Sequence, residues 1–149
     1  MEKSIIGRKE TVRLPDWDIE KITAKVDTGA YNCTIHASAV KEIQKEGQNL
    51  LEFVLLAPAD PAYTGKKIHA SKYKVKKVKN SFGQMEKRYL VLTTLSLGVR
   101  TFSAAFTLSE RSKMKHAVLL GRKILKGRYL VDVEKTFLAG EPIINGKLP

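Results

Sequence analysis

One short segment constrains this chain more than any other. Residues 19–26 alternate between apolar and polar side chains, as on a half-buried β-strand. Directly after them comes Asp27-Thr28-Gly29-Ala30, and both Asp and Gly favour tight turns. The motif occurs once, because no other aspartate of the chain is followed by Thr-Gly or Ser-Gly. The segment therefore predicts a strand that carries one carboxylate into a tight turn.

Each residue of this turn suits hydrolysis by a carboxylate. Asp27 supplies the acid or base, Thr28 can form a hydrogen bond across a dimer seam, and Gly29 and Ala30 let the backbone approach closely. Peptide hydrolysis of this kind needs two carboxylates that share one proton. Since each chain has one such motif, the second Asp27 must come from a second copy. The structural alternative is a turn formed by chance from common turn residues.

A second segment, close to the end of the chain, fits the first. Val118, Leu119 and Leu120 predict a buried strand that Gly121 ends, and residues 122–126 leave room for one or two helical turns. The chain here resembles the retropepsins, the half-size aspartic peptidases of retroviral type. In them an apolar-apolar-Gly strand passes beneath the catalytic turn. The resemblance implies that four residues support the Asp27 turn: Leu119, Leu120, Gly121 and Arg122.

The same resemblance assigns a role to a turn predicted at residues 80–84. Retropepsins place a hairpin, called the flap, over the substrate at this distance before the Gly-Arg helix. Asn80 opens the predicted turn, and Ser81, Phe82 and Gly83 would form the flap tip. The arms of this hairpin would lie within residues 66–88.

The predicted flap arms are strongly basic. Residues 66–88 hold nine Lys or Arg and one acid, Glu86. With a net charge of +12, the chain favours an acidic partner, and Lys74, Lys76 and Lys79 are the residues expected to bind an acidic peptide. The alternative is a solvated strand face whose lysines discourage aggregation of strand edges. The alternation of lysine with apolar residues is interrupted at Lys76-Lys77, which predicts a β-bulge.

The chain is more specifically similar to the bacterial and archaeal family long labelled ATP-dependent zinc proteases and later grouped with retropepsins. The residues that carry this likeness span nearly the whole chain: Ile6-Gly7, Leu14-Pro15, residues 24–30, Ile35-His36-Ala37, Lys87-Arg88, Thr107-Leu108, Arg111, Met114, residues 119–122 and Val131-Asp132. Tyr31-Asn32-Cys33 departs from the family, which more often has Arg and small hydroxyl residues there. The resemblance implies a functional link to ATP-grasp ligases that add glutamate to ribosomal protein tails. It therefore also implies acidic, glutamate-rich peptides as substrates.

The family label names zinc and ATP, but the residues predict neither. The chain has no His-Glu-x-x-His, its three histidines lie far apart in sequence, and it has no Gly-x-x-x-x-Gly-Lys-Ser/Thr loop. We therefore expect no cofactor and no metal site. Serine and cysteine peptidase chemistry also lacks support, since Gly-x-Ser-x-Gly is absent and Cys33 has no evident base.

The rest of the chain predicts many short strands separated by turn signals. An N-terminal strand covers residues 5–7 and 10–14 and ends at Pro15, and the one other helix candidate is residues 37–46. This pattern predicts an all-β fold with one or two short helices. Together with the resemblance, it predicts one retropepsin-like acid-protease barrel over residues 1–149. A single cysteine and the lack of a long apolar stretch predict a cytoplasmic protein with no membrane segment.

The sequence therefore predicts a homodimeric aspartic endopeptidase in which two Asp27 carboxylates activate water. Its substrate would be a peptide or protein, with acidic or glutamate-rich peptides as the candidate class. We expect no nucleic-acid partner, because no nucleic-acid-binding motif accompanies the basic segment. The alternative is a non-catalytic module with the same barrel, which binds an acidic partner or nucleic acid through its basic surface. Substitution of Asp27 distinguishes the two, since a binding module should tolerate Asp27→Asn.

Overall fold

The computed structural model describes residues 2–79 and 81–142, and most of their secondary structure is β-strand. A 3-10 helix covers Pro15–Trp17, and none of the helices described is long and apolar enough to cross a membrane. The strands and the one α-helix are β1 (Ser4–Ile6), β2 (Lys9–Leu14), β3 (Ile19–Val26), β4 (Cys33–Lys45), β5 (Gln48–Leu55), β6 (Ile68–Ala70), β7 (Tyr73–Lys79), β8 (Met85–Leu97), β9 (Arg100–Ser109), β10 (Val118–Leu120), α1 (Arg122–Leu125) and β11 (Tyr129–Val131).

Six of the strands close into a barrel. Their order is β10, β3, β2, β8, β9 and β4, and β4 pairs with β10 to complete the ring. The prediction of an all-β barrel is confirmed. The alternating residues of β3 face opposite sides of the barrel wall. Ile22, Ala24 and Val26 point inward and are buried, while Lys21 and Lys25 point outward and are exposed.

Trp17 packs inside the protein against two phenylalanine rings. The Trp17 ring lies edge-on to Phe53 at 6.0 Å and to Phe106 at 5.7 Å between ring centroids. Such edge-to-face pairs add to the stabilisation from buried area. Pro15 ends β2 as predicted, and the 3-10 helix that follows places Trp17 inside.

The prediction of a helix at residues 37–46 is wrong, because these residues belong to β4 and to the turn that follows it. β4 and β5 form a long hairpin that extends beyond the barrel and reverses at Glu46 and Gly47, both with positive φ. The register of this hairpin shifts between Ser38 and Lys41, where Ala39 has a φ of 52°. This bulge spaces the apolar residues of β4 by three and so imitates helical periodicity.

Two further local predictions are wrong. β7 and β8 pair without a shift from Tyr73–Val91 to Lys79–Met85, so the predicted bulge at residues 76–77 is absent from the described strands. Both faces of this hairpin are largely exposed, so no core imposes a strict alternation on it. The predicted N-terminal strand is two strands, because β1 leaves the barrel at Gly7 and pairs in parallel with β11.

One buried carboxylate joins the barrel to the C-terminal segment. Glu10 is fully buried, and its Oε2 accepts hydrogen bonds from the N–H groups of Gly7 (2.7 Å) and Leu138 (2.9 Å). Its Oε1 accepts a third from the N–H of Ala139 at 3.0 Å. Three backbone donors compensate the loss of water around the charge.

We expect Glu10→Gln to lower the free energy of unfolding by about 2–4 kcal/mol, since the amide turns a donor towards backbone N–H groups. Urea unfolding measures the change. Glu20→Gln is the control, because Glu20 forms an exposed pair with Arg13 at 3.0 Å, and its loss should cost at most about 1 kcal/mol. Equal effects of the two substitutions would contradict the role given to Glu10.

Candidate active site

Asp27 lies where β3 ends, and hydrogen bonds fix both its backbone and its side chain. Its N–H donates to the carbonyl oxygen of Leu120 at 2.9 Å. Its Oδ1 accepts from the N–H of Gly29 at 3.0 Å, and its carbonyl oxygen accepts from the N–H of Ala30 at 3.2 Å. Residues 27–30, called here the Asp27 turn, therefore present a half-buried carboxylate in a set orientation.

β10 and the start of α1 lie against this turn. β10 pairs in parallel with β3, from Val118 opposite Ala24 to Leu120 opposite Val26. The N–H of Arg122 donates to the carbonyl oxygen of Ala30 at 2.8 Å. The structure thus brings Leu120 and Arg122 to the Asp27 turn through their backbones, while Leu119 pairs opposite Lys25 and Thr34.

Gly121 sits where no side chain fits. A Cβ at this position would lie 2.4 Å from the carbonyl oxygen of Asn32 and 2.6 Å from that of Tyr31. Its φ is −93°, so the requirement for glycine comes from space and not from backbone strain. Glycine is therefore what lets β10 pass directly against the segment that follows the Asp27 turn.

Arg122 binds the Asp27 turn through a carbonyl and an aromatic ring. Its Nη1 donates to the carbonyl oxygen of Thr28 at 2.9 Å, and its guanidinium lies 6.0 Å from the centre of the Tyr31 ring. The Lys123 ammonium lies at the same distance from that ring. Sequence reasoning missed Tyr31 as a partner of Arg122, although an exposed aromatic beside a motif is a signal for cation–π contacts.

Cys33 is buried at the start of β4 and is not a candidate nucleophile. Burial raises the pKa of its thiol to about 11, against the smaller opposing effect of a hydrogen bond from the Gly121 backbone. The thiolate is the reactive form, so this thiol is inert near neutral pH.

A cleft separates the Asp27 turn from the flap hairpin, which is β7, β8 and the turn between them. Its volume is about 610 Å³. Ala30 and the residues that follow the Asp27 turn form one wall, and the start of β8 and the end of β9 form the other. The lining residues are Ala30, Tyr31, Asn32, Thr34, Glu86, Lys87, Arg88 and residues 107–111.

The predicted flap residues divide between the tip and the two faces of the hairpin. Ser81, Phe82 and Gly83 form the exposed tip, while Asn80 lies outside the described residues. Lys76 stands opposite Arg88 and Lys74 opposite Leu90, so these side chains share the face next to Asn32. Lys79 lies on the other face with Lys77, because neighbouring residues of a strand alternate. Lys76 therefore lies beside the cleft, Lys74 lies on the same face near Lys123, and Lys79 lies on the opposite face.

Comparison with known proteins identifies the family. A family model described as RimB-like, retropepsin-like aspartic endopeptidase RimB, matches residues 5–142. The chain belongs to the RimB-like family. A crystal structure of a Legionella pneumophila protein of unknown function is similar to it, with a TM-score of 0.72 and 29% identity over 93% of this chain and 99% of that one.

Curated relatives of this RimB-like chain carry a different name. A probable alpha-L-glutamate ligase of Shewanella pealeana is 32% identical over 143 residues, and one of Desulfotalea psychrophila is 30% identical over 139 residues. Each match covers 93% of this chain and 30% of the relative. The RimB-like chain therefore spans about a third of the length of these relatives.

The β4–β5 hairpin supports the flap hairpin of this RimB-like chain on the face away from the cleft. The Tyr73 hydroxyl donates to Glu42 Oε1 at 3.1 Å, and Lys87 Nζ lies 3.8 Å from Glu42 Oε2. Sequence reasoning missed this contact, because it predicted a helix where β4 carries Glu42.

The three histidines of the RimB-like chain lie in three separate places. His36 is buried and its Nδ1 accepts from the N–H of Arg111 at 2.7 Å, while His69 lies 3.0 Å from Glu52. His116 lines a different cavity. Within the part of the chain that the structure describes, no three His, Cys, Asp or Glu side chains come together as ligands for one metal ion.

Proposed function

We propose that two copies of the chain form an aspartic-type endopeptidase, in which the paired Asp27 carboxylates activate water. The observation that carries the proposal is the Asp27 turn, which occurs once per chain. Its Oδ1 is held by the N–H of Gly29, and among the described residues no other donor lies within hydrogen-bond distance of the carboxylate. A water or the partner's carboxyl group therefore has access to Oδ2.

The proposed reaction uses one ionised and one protonated carboxylate. The ionised Asp27 takes a proton from water as the water oxygen attacks the peptide carbonyl carbon, and the protonated Asp27 donates to the carbonyl oxygen. As the C–N bond breaks, the leaving nitrogen takes the proton that the first Asp27 accepted, and a hydroxyl of the tetrahedral intermediate returns a proton to the second Asp27, which yields an acid and an amine. Two negative charges so close repel each other, which favours the arrangement of one ionised and one protonated carboxylate that the reaction needs.

The functional unit is then a dimer with twofold symmetry, because that symmetry brings two copies of the same group together. We expect sedimentation equilibrium to give a dimer at the concentrations where peptidase activity is seen. A protein that stays monomeric at high concentration and is still active would contradict this assembly.

We propose acidic, glutamate-rich peptides as the substrate class, in a cytoplasmic setting and in functional association with a glutamate ligase. Two observations support this. Arg88 and Arg111 line the cleft beside the Asp27 turn, with Lys76 next to them, and the net charge is +12. The curated relatives named as probable glutamate ligases contain a region similar to this chain.

The two faces of β7 offer a matched test of the substrate class. Lys74→Gln with Lys76→Gln should weaken binding of a glutamate-rich peptide about tenfold at low salt, since each exposed pair contributes up to about 1 kcal/mol. Lys77→Gln with Lys79→Gln removes the same charge from the opposite face and should have little effect. Peptide affinity is measured by calorimetry at two ionic strengths, and the difference should shrink at high salt. Equal effects of the two pairs would show that only net charge matters.

A non-catalytic binding module remains the second candidate, and the net charge of +12 is the observation that favours it. In that case Asp27→Asn should leave peptide binding unchanged and no peptide should be cleaved by the unsubstituted protein. Binding without cleavage across a set of glutamate-rich peptides would support this candidate over the peptidase.

A further inference from the structure

A second cavity lies on the outer face of β2 and β3, and Arg111 of the cleft reaches it, because its Nε donates to the carbonyl oxygen of His116 at 3.2 Å. Its volume is about 370 Å³, and Thr11, Thr23, Lys115 and His116 contribute to its lining. None of the residues of the Asp27 turn lines it. Thr23 precedes Asp27 by four residues, which corresponds to about 13 Å along an extended strand.

Three lysines in or beside this second cavity form no ion pair with any described carboxylate. Lys9 and Lys25 stand directly opposite each other on β2 and β3, and like charges in that position destabilise a sheet. Within residues 2–79 and 81–142, no carboxylate forms an ion pair with Lys9, Lys25 or Lys115. A bound anion would relieve this repulsion.

The same charges act on His116. Burial, followed by the positive charges of Lys115, Lys9, Lys25 and Arg111, lowers the pKa of its imidazole. The ring is therefore mostly neutral at neutral pH, and an anion placed beside it would favour the protonated form.

Two acids also line the second cavity, and both have partners. Asp60 accepts from the N–H of Ala62 at 2.9 Å. Glu141 Oε2 lies 3.2 Å from Lys21 Nζ, so a carboxylate side chain already binds a lysine of this cavity. Both members of that pair are exposed, so an incoming carboxylate can replace Glu141 at little cost.

We propose that the second cavity is an anion-binding site that takes a carboxylate side chain of an acidic peptide. Lys115 supplies opposite charge from the lining, Lys9 and Lys25 add to it from neighbouring positions of β2 and β3, and Thr11 and Thr23 supply hydroxyl donors. The site does not depend on hydrolysis at Asp27, so it can be tested separately from the proposed peptidase activity.

The histidine ring signals in the NMR spectrum of the full chain test this proposal. Tetraglutamate is titrated into the Asp27→Asn variant, which prevents cleavage, and inorganic phosphate is titrated in a second arm. We expect a saturable shift of the His116 signals with the peptide and an increase of its pKa by about one unit. The signals of His69 should stay in place, since this residue lines neither this cavity nor the cleft.

Paired variants decide whether the shift comes from this site. Lys25→Gln with Lys115→Gln should weaken the peptide effect on His116 by about fivefold or more. Lys77→Gln with Lys79→Gln, which removes the same charge elsewhere, should leave it unchanged. The proposal is overturned if the peptide binds by calorimetry without moving His116. It is also overturned if phosphate moves His116 and the peptide does not, or if both variant pairs act equally.

Discussion

Replacement of Asp27 by asparagine is expected to lower the proposed peptidase activity by at least about a thousandfold, because an amide can neither take a proton from water nor share one with its partner. The fold should not change. The side-chain oxygen of the introduced amide can still accept from the N–H of Gly29, as Asp27 Oδ1 does at 3.0 Å. The dimer should be at least as stable, since two neutral amides replace a carboxylate pair.

Asp132→Asn is the matched control for this variant. Asp132 Oδ1 accepts from the N–H of Glu134 at 3.0 Å, the same two-residue turn with the same bond length. Its substitution should leave activity unchanged. Cleavage rates of a glutamate-rich peptide, with circular dichroism to monitor the fold, provide the comparison. Activity of Asp27→Asn within about tenfold of the unsubstituted protein would refute the catalytic role of Asp27.

Gly121→Ala should destabilise the fold much more than Gly127→Ala does. The new Cβ would meet the carbonyl oxygens of Asn32 and Tyr31 at 2.4 and 2.6 Å, and backbone atoms cannot move aside as a flexible side chain can. We expect a loss of about 3 kcal/mol or more in the free energy of unfolding. Any variant that still folds should lose activity, because the residues displaced follow the Asp27 turn directly.

Gly127→Ala controls for the loss of a glycine as such. A Cβ at Gly127 meets nothing within 4 Å, although its φ of 81° is unfavourable for alanine. This variant should cost only about 1–2 kcal/mol. Urea unfolding of both proteins gives the comparison. Equal losses of unfolding free energy would mean that the close approach of Gly121 to Tyr31 and Asn32 is unimportant.

The sequence predicted the parts of the site that depend on short, local patterns. The alternation of residues 19–26 before Asp27 predicted a strand and a turn, and β3 and the Asp27 turn are found there. The apolar run before Gly121 predicted a buried strand followed by a short helix, which are β10 and α1. These patterns are reliable because a single buried face determines each of them.

The wrong predictions concern elements in which no buried face determines the order of apolar and polar residues. Residues 37–45 leave the barrel as one arm of a hairpin, and the bulge at Ala39 gives them a helix-like spacing. The contacts of Glu42 with the flap hairpin, and the bonds of Glu10 to Leu138 and Ala139, join residues far apart in the chain. Contacts of that kind follow from the tertiary fold and leave no periodic trace in the sequence.

The most direct test of the account is to mix unsubstituted chains with Asp27→Asn chains at a fixed total concentration, allow subunits to exchange, and measure cleavage of a glutamate-rich peptide. If two Asp27 side chains form each active site, only dimers of two unsubstituted chains are active. An equal mixture should then retain about a quarter of the activity, because random pairing of twofold dimers makes such dimers a quarter of the total. Retention of about half, in direct proportion to the unsubstituted chain, would mean that each chain acts alone and would contradict the shared Asp27 site.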